Sequence, residues 1–203
     1  MTIPDSELLI GTGNPGKLKE IKLALEGLPL RFCSLAEYVD LSVPIENGET
    51  YTENAIIKAT DYARQTGLTV LADDSGLEVG WLAGAPGLHS ARFGAGSDSD
   101  RVELLLSKLS DAGDDQRQAR FVSVIAIVHP TVGVINVSQG ECRGQINHRP
   151  LGHNGFGYDP VFVPEGYEQT FGQLSDDIKA KISHRAKSLA LARLFLAELL
   201  TVA

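Results

Sequence analysis

The feature of this sequence that most restricts its fold is an alternation of strand-like and helix-like segments. Residues 8–12 and 68–72 are short apolar runs, and residues 119–129 are rich in β-branched side chains, as in buried strands. Between them, residues 18–28 and 51–65 carry apolar side chains at the three- and four-residue spacing of a helix face. This alternation predicts one compact α/β domain, because the helices must cover the faces of the sheet.

The rest of the chain adds further elements to this pattern. Residues 80–100 are rich in Gly, Ala and Ser and predict a loop, and a leucine-rich face predicts a helix over residues 101–109. A turn after the β-branched strand predicts a hairpin whose second strand covers residues 134–141. The stretch before residue 161 holds too many Gly and Pro residues for regular structure. The final segment is helical, and Ser183 is placed to cap its second part.

Composition and charge restrict what the protein binds and where it works. The 203 residues are 43% hydrophobic and 22% charged, which is ordinary for a folded protein. A net charge of −8 argues against nonspecific binding to nucleic acid. The sequence shows neither a membrane-length apolar run nor a secretory signal at its start, and Cys33 and Cys142 form no paired motif. We therefore expect a cytoplasmic protein with no nucleic-acid or membrane partner.

The segment LLIGTGNPGKLKE, residues 8–20, matches two phosphate-binding templates at once. Its glycines fit the dinucleotide fingerprint G-x-G-x-x-G, and the last glycine with Lys17 fits the start of a P-loop. The P-loop needs Ser or Thr where this chain has Leu18, and no acidic residue ends the second strand as a dinucleotide site requires. What remains is a helix N-terminus, capped by Asn14 and opened by Pro15, that can bind an anion with Lys17. A tight turn without a ligand is the alternative.

Two adjacent aspartates follow the predicted strand at residues 68–72. In ADDSG, Asp73 and Asp74 can hold a hard cation and activate water, and side-chain alternation along a strand predicts that they face opposite ways. A simple turn with Asx-type hydrogen bonds is the other interpretation, and the one that this short match alone favours. Glu46 precedes the second predicted helix and is a candidate third carboxylate for a metal.

Two later segments carry groups suited to a flat or anionic ligand. In GFGYDP, Phe156 offers a ring for stacking beside the hydrogen-bonding groups of Tyr158 and Asp159, although a buried aromatic turn explains the segment equally well. In KAKISHR, a solvated basic face is the default interpretation. Yet His184 and Arg185 stand in the first turn of a predicted helix, where the macrodipole disfavours cations. Their position suggests a requirement other than helix stability.

Carboxylates, cations and a stacking ring together fit a nucleoside triphosphate better than any other ligand class. The sequence also resembles the noncanonical purine nucleoside triphosphate pyrophosphatases, also called inosine triphosphate pyrophosphatases. The resemblance rests on ordered blocks along nearly the whole chain: TGNPGKLKEI, ENGETYTENAIIKA, LADDSGLEV, GAPGLHSARF, GFGYDPVF and ISHRAKSL.

This resemblance implies a single two-lobed α/β domain over residues 1–203, with a long curved mixed sheet flanked by helices and a nucleotide cleft between the lobes. It implies Mg²⁺-dependent hydrolysis of ITP, dITP and XTP to the monophosphate and pyrophosphate, by a homodimer. Asp74 would be the proton acceptor and, with Glu46, a ligand of Mg²⁺. The residues that would bind the nucleotide are Thr12, Gly13, Asn14, Pro15, Gly16, Lys17, Ser75, Phe156, Gly157, Tyr158, Asp159, Lys179, His184 and Arg185.

Base selectivity is less well defined by the resemblance. Donors from His184 or Arg185 would pair with the 6-carbonyl of hypoxanthine or xanthine, whereas adenine would present them with an amino donor. Asn154 and Ala186 stand where glycine is expected, and asparagine tolerates a positive φ. Two alternative functions remain: a Maf-like pyrophosphatase for pyrimidine nucleoside triphosphates, and a sensor that binds a nucleotide without hydrolysing it.

Overall fold

The computed structural model of the protein describes residues 7–201. Residues 1–6, on which the search for a secretory signal depends, lie outside the described residues. The strands are β1 (Glu7–Ile10), β2 (Arg31–Ser34), β3 (Thr69–Val79), β4 (Gln118–His129), β5 (Gly133–Ile146) and β6 (Phe162–Pro164). The helices are α1 (Pro15–Ala24), α2 (Tyr51–Thr66), α3 (Asp98–Lys108), α4 (Asp176–Ile182) and α5 (His184–Thr201).

The six strands form one mixed sheet in the order β2-β1-β3-β4-β5-β6. Strand β1 pairs in parallel with both β2 and β3, and β5 pairs antiparallel with β6. The neighbouring strands β4 and β5 are joined by residues 130–132, as the predicted hairpin requires. A mixed sheet with helices between its parallel strands confirms the predicted α/β class.

The chain divides into two compact units. Within the described residues, the first unit comprises residues 7–74, 123–140 and 185–201, and the second comprises residues 75–122 and 141–184. Because β3 and β4 each contain a boundary between the units, their two halves contribute to different cores.

The first unit has a separate apolar layer on each face of its sheet. On one face, Leu8, Leu71 and Ile125 pack with apolar residues of α1 and α5. On the other face, Leu9 and Val70 pack with the alanine-rich side of α2. The alternation of side chains along a strand therefore decides which helices each strand residue meets.

Local sequence signals define the ends of the helices in the first unit. The side chain of Asn14 accepts a hydrogen bond from the backbone N–H of Lys17 and so caps α1. Thr50 caps α2 in the same way through the N–H of Glu53, and Gly67 ends that helix in the left-handed conformation. The cap at Asn14 agrees with the sequence prediction.

The core of the second unit is built from the far halves of the central strands and from aromatic side chains. Phe121 lies against Phe162, with ring centroids 4.7 Å apart, and Phe162 stacks on Phe171 at 5.4 Å. Leu77 of β3 and Leu105 of α3 are fully buried in the same core. Strand β6, helix α3 and the segment before α4 therefore pack in one core through Phe162, Leu105 and Phe171.

The sequence predictions of element bounds were wrong at β3 and α3, and also at β5, which continues to Ile146 and does not end at residue 141. Strand β3 does not end at residue 72 but continues to Val79, because Leu77 and Val79 are buried in the second core and alternate with the more exposed Glu78. Asp73 and Asp74 therefore lie inside a strand and not in a turn. Helix α3 begins at Asp98, inside the predicted loop, because Ser97 and Asp100 form a capping box there. No helix within residues 7–201 is long and apolar enough to cross a membrane.

Candidate active site

The paired aspartates of β3 face opposite sides of the sheet. Asp73 has the orientation of Leu71 and contacts groups from α1 and α5. Asp74 has the orientation of Val70 and Ala72 and contacts a lysine of α2. Adjacent carboxylates in one strand thus enter two different environments, as the predicted alternation requires.

Asp73 is the counter-ion of two cations. Its side chain is 0% exposed, and its Oδ2 lies 2.6 Å from Nζ of Lys17. The Arg185 guanidinium makes a bidentate contact with it, at 3.3 Å from Nε to Oδ1 and 3.3 Å from Nη2 to Oδ2. The Ser123 hydroxyl donates to Oδ1 at 2.7 Å. Burial alone would raise the pKa of Asp73, but Arg185 and Lys17 outweigh it and hold this pKa well below its ordinary value.

Arg185 is held by carboxylates on two sides. Besides Asp73, its Nη1 donates to Oε2 of Glu20 at 2.6 Å, and its side chain is 3% exposed. Burial would lower the pKa of Arg185, but Asp73 and Glu20 raise it, so the side chain is a permanent cation. These contacts favour a positioning role for Arg185 over the predicted hydrogen bond to the base.

Asp74 has one oxygen near a lysine and one without a partner. Lys58 of α2 places its Nζ 3.8 Å from Oδ1 of Asp74, 2.9 Å from Oε2 of Glu46 and 3.0 Å from the carbonyl oxygen of Asp73. The other oxygen of Asp74, Oδ2, is buried and has no hydrogen-bond partner among residues 7–201. Burial raises the pKa of Asp74, and the charges of Lys58 and Lys17 offset this only in part.

The residues around Lys58 fit a magnesium ion, although they do not form a complete protein cage. In the part of the chain that the structure describes, no three His, Cys, Asp or Glu side chains are grouped as metal ligands. Mg²⁺ commonly uses one or two carboxylates and takes its other ligands from water and substrate phosphates. Asp74 and Glu46 both lie within 4 Å of one lysine nitrogen, and Asp74 has an unpartnered oxygen. This donor set suits Mg²⁺.

The turn from β1 into α1 presents the helix N-terminus and Lys17 together. The backbone N–H of Asn14 donates to Oγ1 of Thr12 at 3.2 Å, which tightens the turn. Gly11 at its start is closely surrounded, because a Cβ there would lie 3.1 Å from side-chain atoms of both Tyr62 and Val70 and would require them to shift. The predicted phosphate-binding residues Gly13 and Gly16 belong to this turn and to the first turn of α1. Their geometry is that of an anion site at a helix N-terminus.

In the second unit, Asp159 organises the segment that contains Phe156. Its Oδ2 accepts a hydrogen bond from the N–H of Phe156 at 2.7 Å and from Nζ of Lys179 at 2.6 Å. Gly155 has a φ of +73° there, and a Cβ on it would lie 2.0 Å from Oδ2 of Asp159. The Lys179 ammonium also lies 4.7 Å from the centroid of the Phe156 ring. The predicted residues Phe156, Asp159 and Lys179 are thus brought together.

Other predicted residues of the second unit are more enclosed. Tyr158 is 5% exposed and donates its hydroxyl to the carbonyl oxygen of Ser90 at 2.9 Å, which braces the segment from inside. The N–H of Gly157 donates to Asp98 at 2.7 Å. The ring of His184 stacks on Phe121, at 4.6 Å between centroids. Ser75 is half-buried directly after Asp74.

Asn154 and Ala186, which stand where the resemblance leads one to expect glycine, lie in ordinary surroundings in the structure. Asn154 does not have a positive φ, so the tolerance of asparagine for that conformation is not used. Its side chain donates instead to the carbonyl oxygen of Leu174 at 2.9 Å. Ala186 lies in the first turn of α5 and is half-buried.

Sequence reasoning assigned no role to several residues that the structure brings to the site. Local sequence patterns single out neither Lys58 in α2 nor Glu20 in α1. Ser123 carried one recognisable signal, a single hydroxyl within the otherwise apolar run of β4. The partners of Asp73 come from distant parts of the chain, and this is why local patterns did not reveal them.

The fold and this cluster define an α/β protein in which Lys17, in the first turn of α1, contacts one of two adjacent aspartates and Lys58 lies near the other. The chain belongs to the Ham1 family, whose family model matches residues 8–195. A dITP/XTP pyrophosphatase from Deinococcus deserti is 45% identical over 185 residues, which cover 91% of this chain and 86% of the relative. One from an Exiguobacterium species is 44% identical over 185 residues, covering 90% of this chain and 93% of the relative. The solved structure of a HAM1 protein from Coxiella burnetii is 37% identical, with a TM-score of 0.83 over 95% of this chain and 98% of that one.

Proposed function

We propose that this protein hydrolyses purine nucleoside triphosphates such as ITP, dITP and XTP to the monophosphate and pyrophosphate. The relatives named dITP/XTP pyrophosphatase support the reaction and the substrate class. The observation that carries the proposal is the division of roles between the paired aspartates. Asp73 is saturated by cations, whereas Asp74 keeps an oxygen available beside Glu46 and Lys58.

The turn and helix start of the first unit bind the triphosphate. The N-terminus of α1 and the Lys17 ammonium attract the anionic oxygens of the triphosphate. Lys58 adds a second ammonium close to Asp74. Both lysines stabilise the charge that develops on the leaving pyrophosphate.

Asp74 orients and deprotonates the attacking water. The water oxygen attacks the α-phosphorus in line, its proton passes to the Asp74 carboxylate, and the bond from the α-phosphorus to the bridging oxygen breaks as pyrophosphate leaves. A carboxylate whose pKa is raised by burial is a better base than an ordinary aspartate. When bound by Asp74 and Glu46, Mg²⁺ offsets charge on the triphosphate.

Groups of the second unit recognise the base. Phe156 offers a ring face for stacking, and Asp159 holds it in place through its backbone N–H. His184 is the predicted donor for the 6-carbonyl of hypoxanthine and xanthine, since Arg185 is engaged by Asp73 and Glu20. An adenine base would leave such a donor unpaired, and this disfavours ATP.

The test is pyrophosphate release with Mg²⁺ from ITP, XTP, dTTP, GTP and ATP, by the wild type and by Asp74→Asn. We expect turnover of ITP and XTP, little turnover of the other three, and a loss of at least about a hundredfold in the variant, as for removal of a general base. Preference for dTTP would instead make the protein a Maf-like enzyme. Tight ITP binding without turnover in the wild type would make it a sensor.

We also propose that the protein acts in the cytoplasm as a homodimer. Both cysteines, Cys33 and Cys142, are buried and neither forms a disulfide, which agrees with a reducing compartment. Light scattering coupled to size exclusion measures the mass directly. A species near 21.8 kDa, the mass of one chain, would contradict the dimer.

A further inference from the structure

The carboxylate of Asp73 is hydrogen-bonded to the first of two linked, buried serine hydroxyl groups. Ser123 of β4 and Ser188 of α5 are both 0% exposed, and their Oγ atoms lie 2.9 Å apart. Ser123 also lies 2.7 Å from Oδ1 of Asp73. Both serines therefore belong to the first unit's polar centre, although the sequence alone predicted no role for either of them.

The number of hydroxyl protons decides which group donates in each of these hydrogen bonds. Each serine hydroxyl has a single proton to donate, and an ionised carboxylate can only accept. Because Ser123 donates to Asp73, its oxygen must accept from Ser188. The alternative acceptor for Ser188, the carbonyl oxygen of Arg185, is farther away, at 3.1 Å. The hydroxyl protons thus point from Ser188 to Ser123 to Asp73.

This relay fixes the carboxylate that holds Lys17. The Lys17 side chain is 17% exposed, and its ammonium contacts Asp73 at 2.6 Å. A rotation of the carboxylate would move the point to which the ammonium is attracted. Ser123 opposes that rotation together with the bidentate Arg185 contact, because Ser123 bonds Oδ1 while Lys17 bonds Oδ2.

We propose that Ser123 and Ser188 are positioning residues for phosphate binding: their hydroxyl relay orients Asp73, and Asp73 orients Lys17 toward the triphosphate. The inference rests on the proposed function for the identity of the ligand. Its readout is binding of inorganic triphosphate, which requires no turnover and therefore tests it separately from hydrolysis.

The experiment compares calorimetric binding of inorganic triphosphate to the wild type, Ser123→Ala and Ser188→Ala. We expect about tenfold weaker binding in Ser123→Ala, the effect of losing a hydrogen bond to a charged group, and a smaller loss of about threefold in Ser188→Ala. The matched control is Ser138→Ala on β5, since the Ser138 hydroxyl is buried in the same unit and has no partner among residues 7–201. This control should bind like the wild type.

A double-mutant cycle separates positioning from general destabilisation. If Ser123 acts through Lys17, then Ser123→Ala causes no further loss of triphosphate affinity in a Lys17→Met background. An equal loss in both backgrounds, or wild-type binding by folded Ser123→Ala, would overturn the inference. If Ser123→Ala does not fold, Ser188→Ala decides, because it leaves the contacts of Asp73 intact. Triphosphate binding with no hydrolysis of ITP by the wild type would refute the proposed function and leave this inference standing.

Discussion

Replacing Asp73 by asparagine removes the negative charge that contacts two cations, the buried Arg185 and the partly buried Lys17. Asparagine keeps the shape of the side chain and can still accept the Ser123 hydrogen bond. Lys17 and Arg185, however, lose their common counter-ion. Removing one partner of a buried ion pair costs about 3–5 kcal/mol, because the remaining charge stays desolvated.

The contacts of the two cations place the expected loss at the lower end of that range. Arg185 retains Glu20 as a partner at 2.6 Å. Lys17 is 17% exposed and can recover part of its hydration. We therefore expect Asp73→Asn to lower the free energy of unfolding by about 3 kcal/mol. In a chain of 203 residues this corresponds to a drop in melting temperature of about 6–12 °C.

The matched control is the neighbouring substitution Asp74→Asn, measured in the same urea titrations at neutral pH. Burial raises the pKa of Asp74, so its charged form is less favourable in the folded state than in the unfolded state. Its contact with Lys58, at 3.8 Å, is long. We expect Asp74→Asn to leave the free energy of unfolding within about 1 kcal/mol of the wild type, or to raise it, while abolishing pyrophosphate release.

Asp73→Asn should thus mainly lower the free energy of unfolding, whereas Asp74→Asn should mainly abolish pyrophosphate release. A loss of less than about 1 kcal/mol in Asp73→Asn would show that its contacts are not a buried ion-pair network. A loss of stability in Asp74→Asn as large as that in Asp73→Asn would refute the division of roles. Full activity in Asp74→Asn would refute the assignment of the base.

Two further predictions concern Gly48 and Tyr158. A Cβ on Gly48 would lie 2.9 Å from Oδ1 of Asn54, which accepts the Gly48 N–H at 2.8 Å, so Gly48→Ala should displace Glu46. The Mg²⁺ concentration for half-maximal pyrophosphate release should rise about tenfold, and an unchanged value would contradict the role of Glu46. Burial raises the pKa of Tyr158 to about 12, so above pH 10 the unfolded chain loses this proton before the folded protein does. Between pH 10 and 12, the wild type's free energy of unfolding should therefore fall relative to that of Tyr158→Phe by about 1.4 kcal/mol per pH unit, and parallel curves would contradict this.

The sequence predicted much of the local structure, because local structure depends on near neighbours. The caps at Asn14 and Thr50 and the stop at Gly67 each involve residues a few positions apart. The apolar periods of α1, α2 and β4 likewise follow from short windows of sequence. The family followed from several such windows in order.

Sequence patterns gave the wrong end of a strand where packing against residues distant in sequence extended that strand. The short match ADDSG has the composition of a turn, yet β3 passes through it because Leu77 and Val79 are needed in another core. Turn propensity is a weak preference, and burial of two aliphatic side chains outweighs it.

What the sequence determined by itself is therefore the set of elements, the family and the presence of a carboxylate pair. Which aspartate is the counter-ion of two cations and which keeps an oxygen without a hydrogen-bond partner among residues 7–201 was decided by tertiary structure. Asp73 meets Ser123 and Arg185, 50 and 112 positions along the chain, only because alternation in β3 aims it at the layer of α1 and α5. Asp74, one residue on, is aimed at α2 and Lys58. Charge and burial act through space, so two identical neighbouring side chains acquire pKa shifts of opposite direction only after the chain has folded.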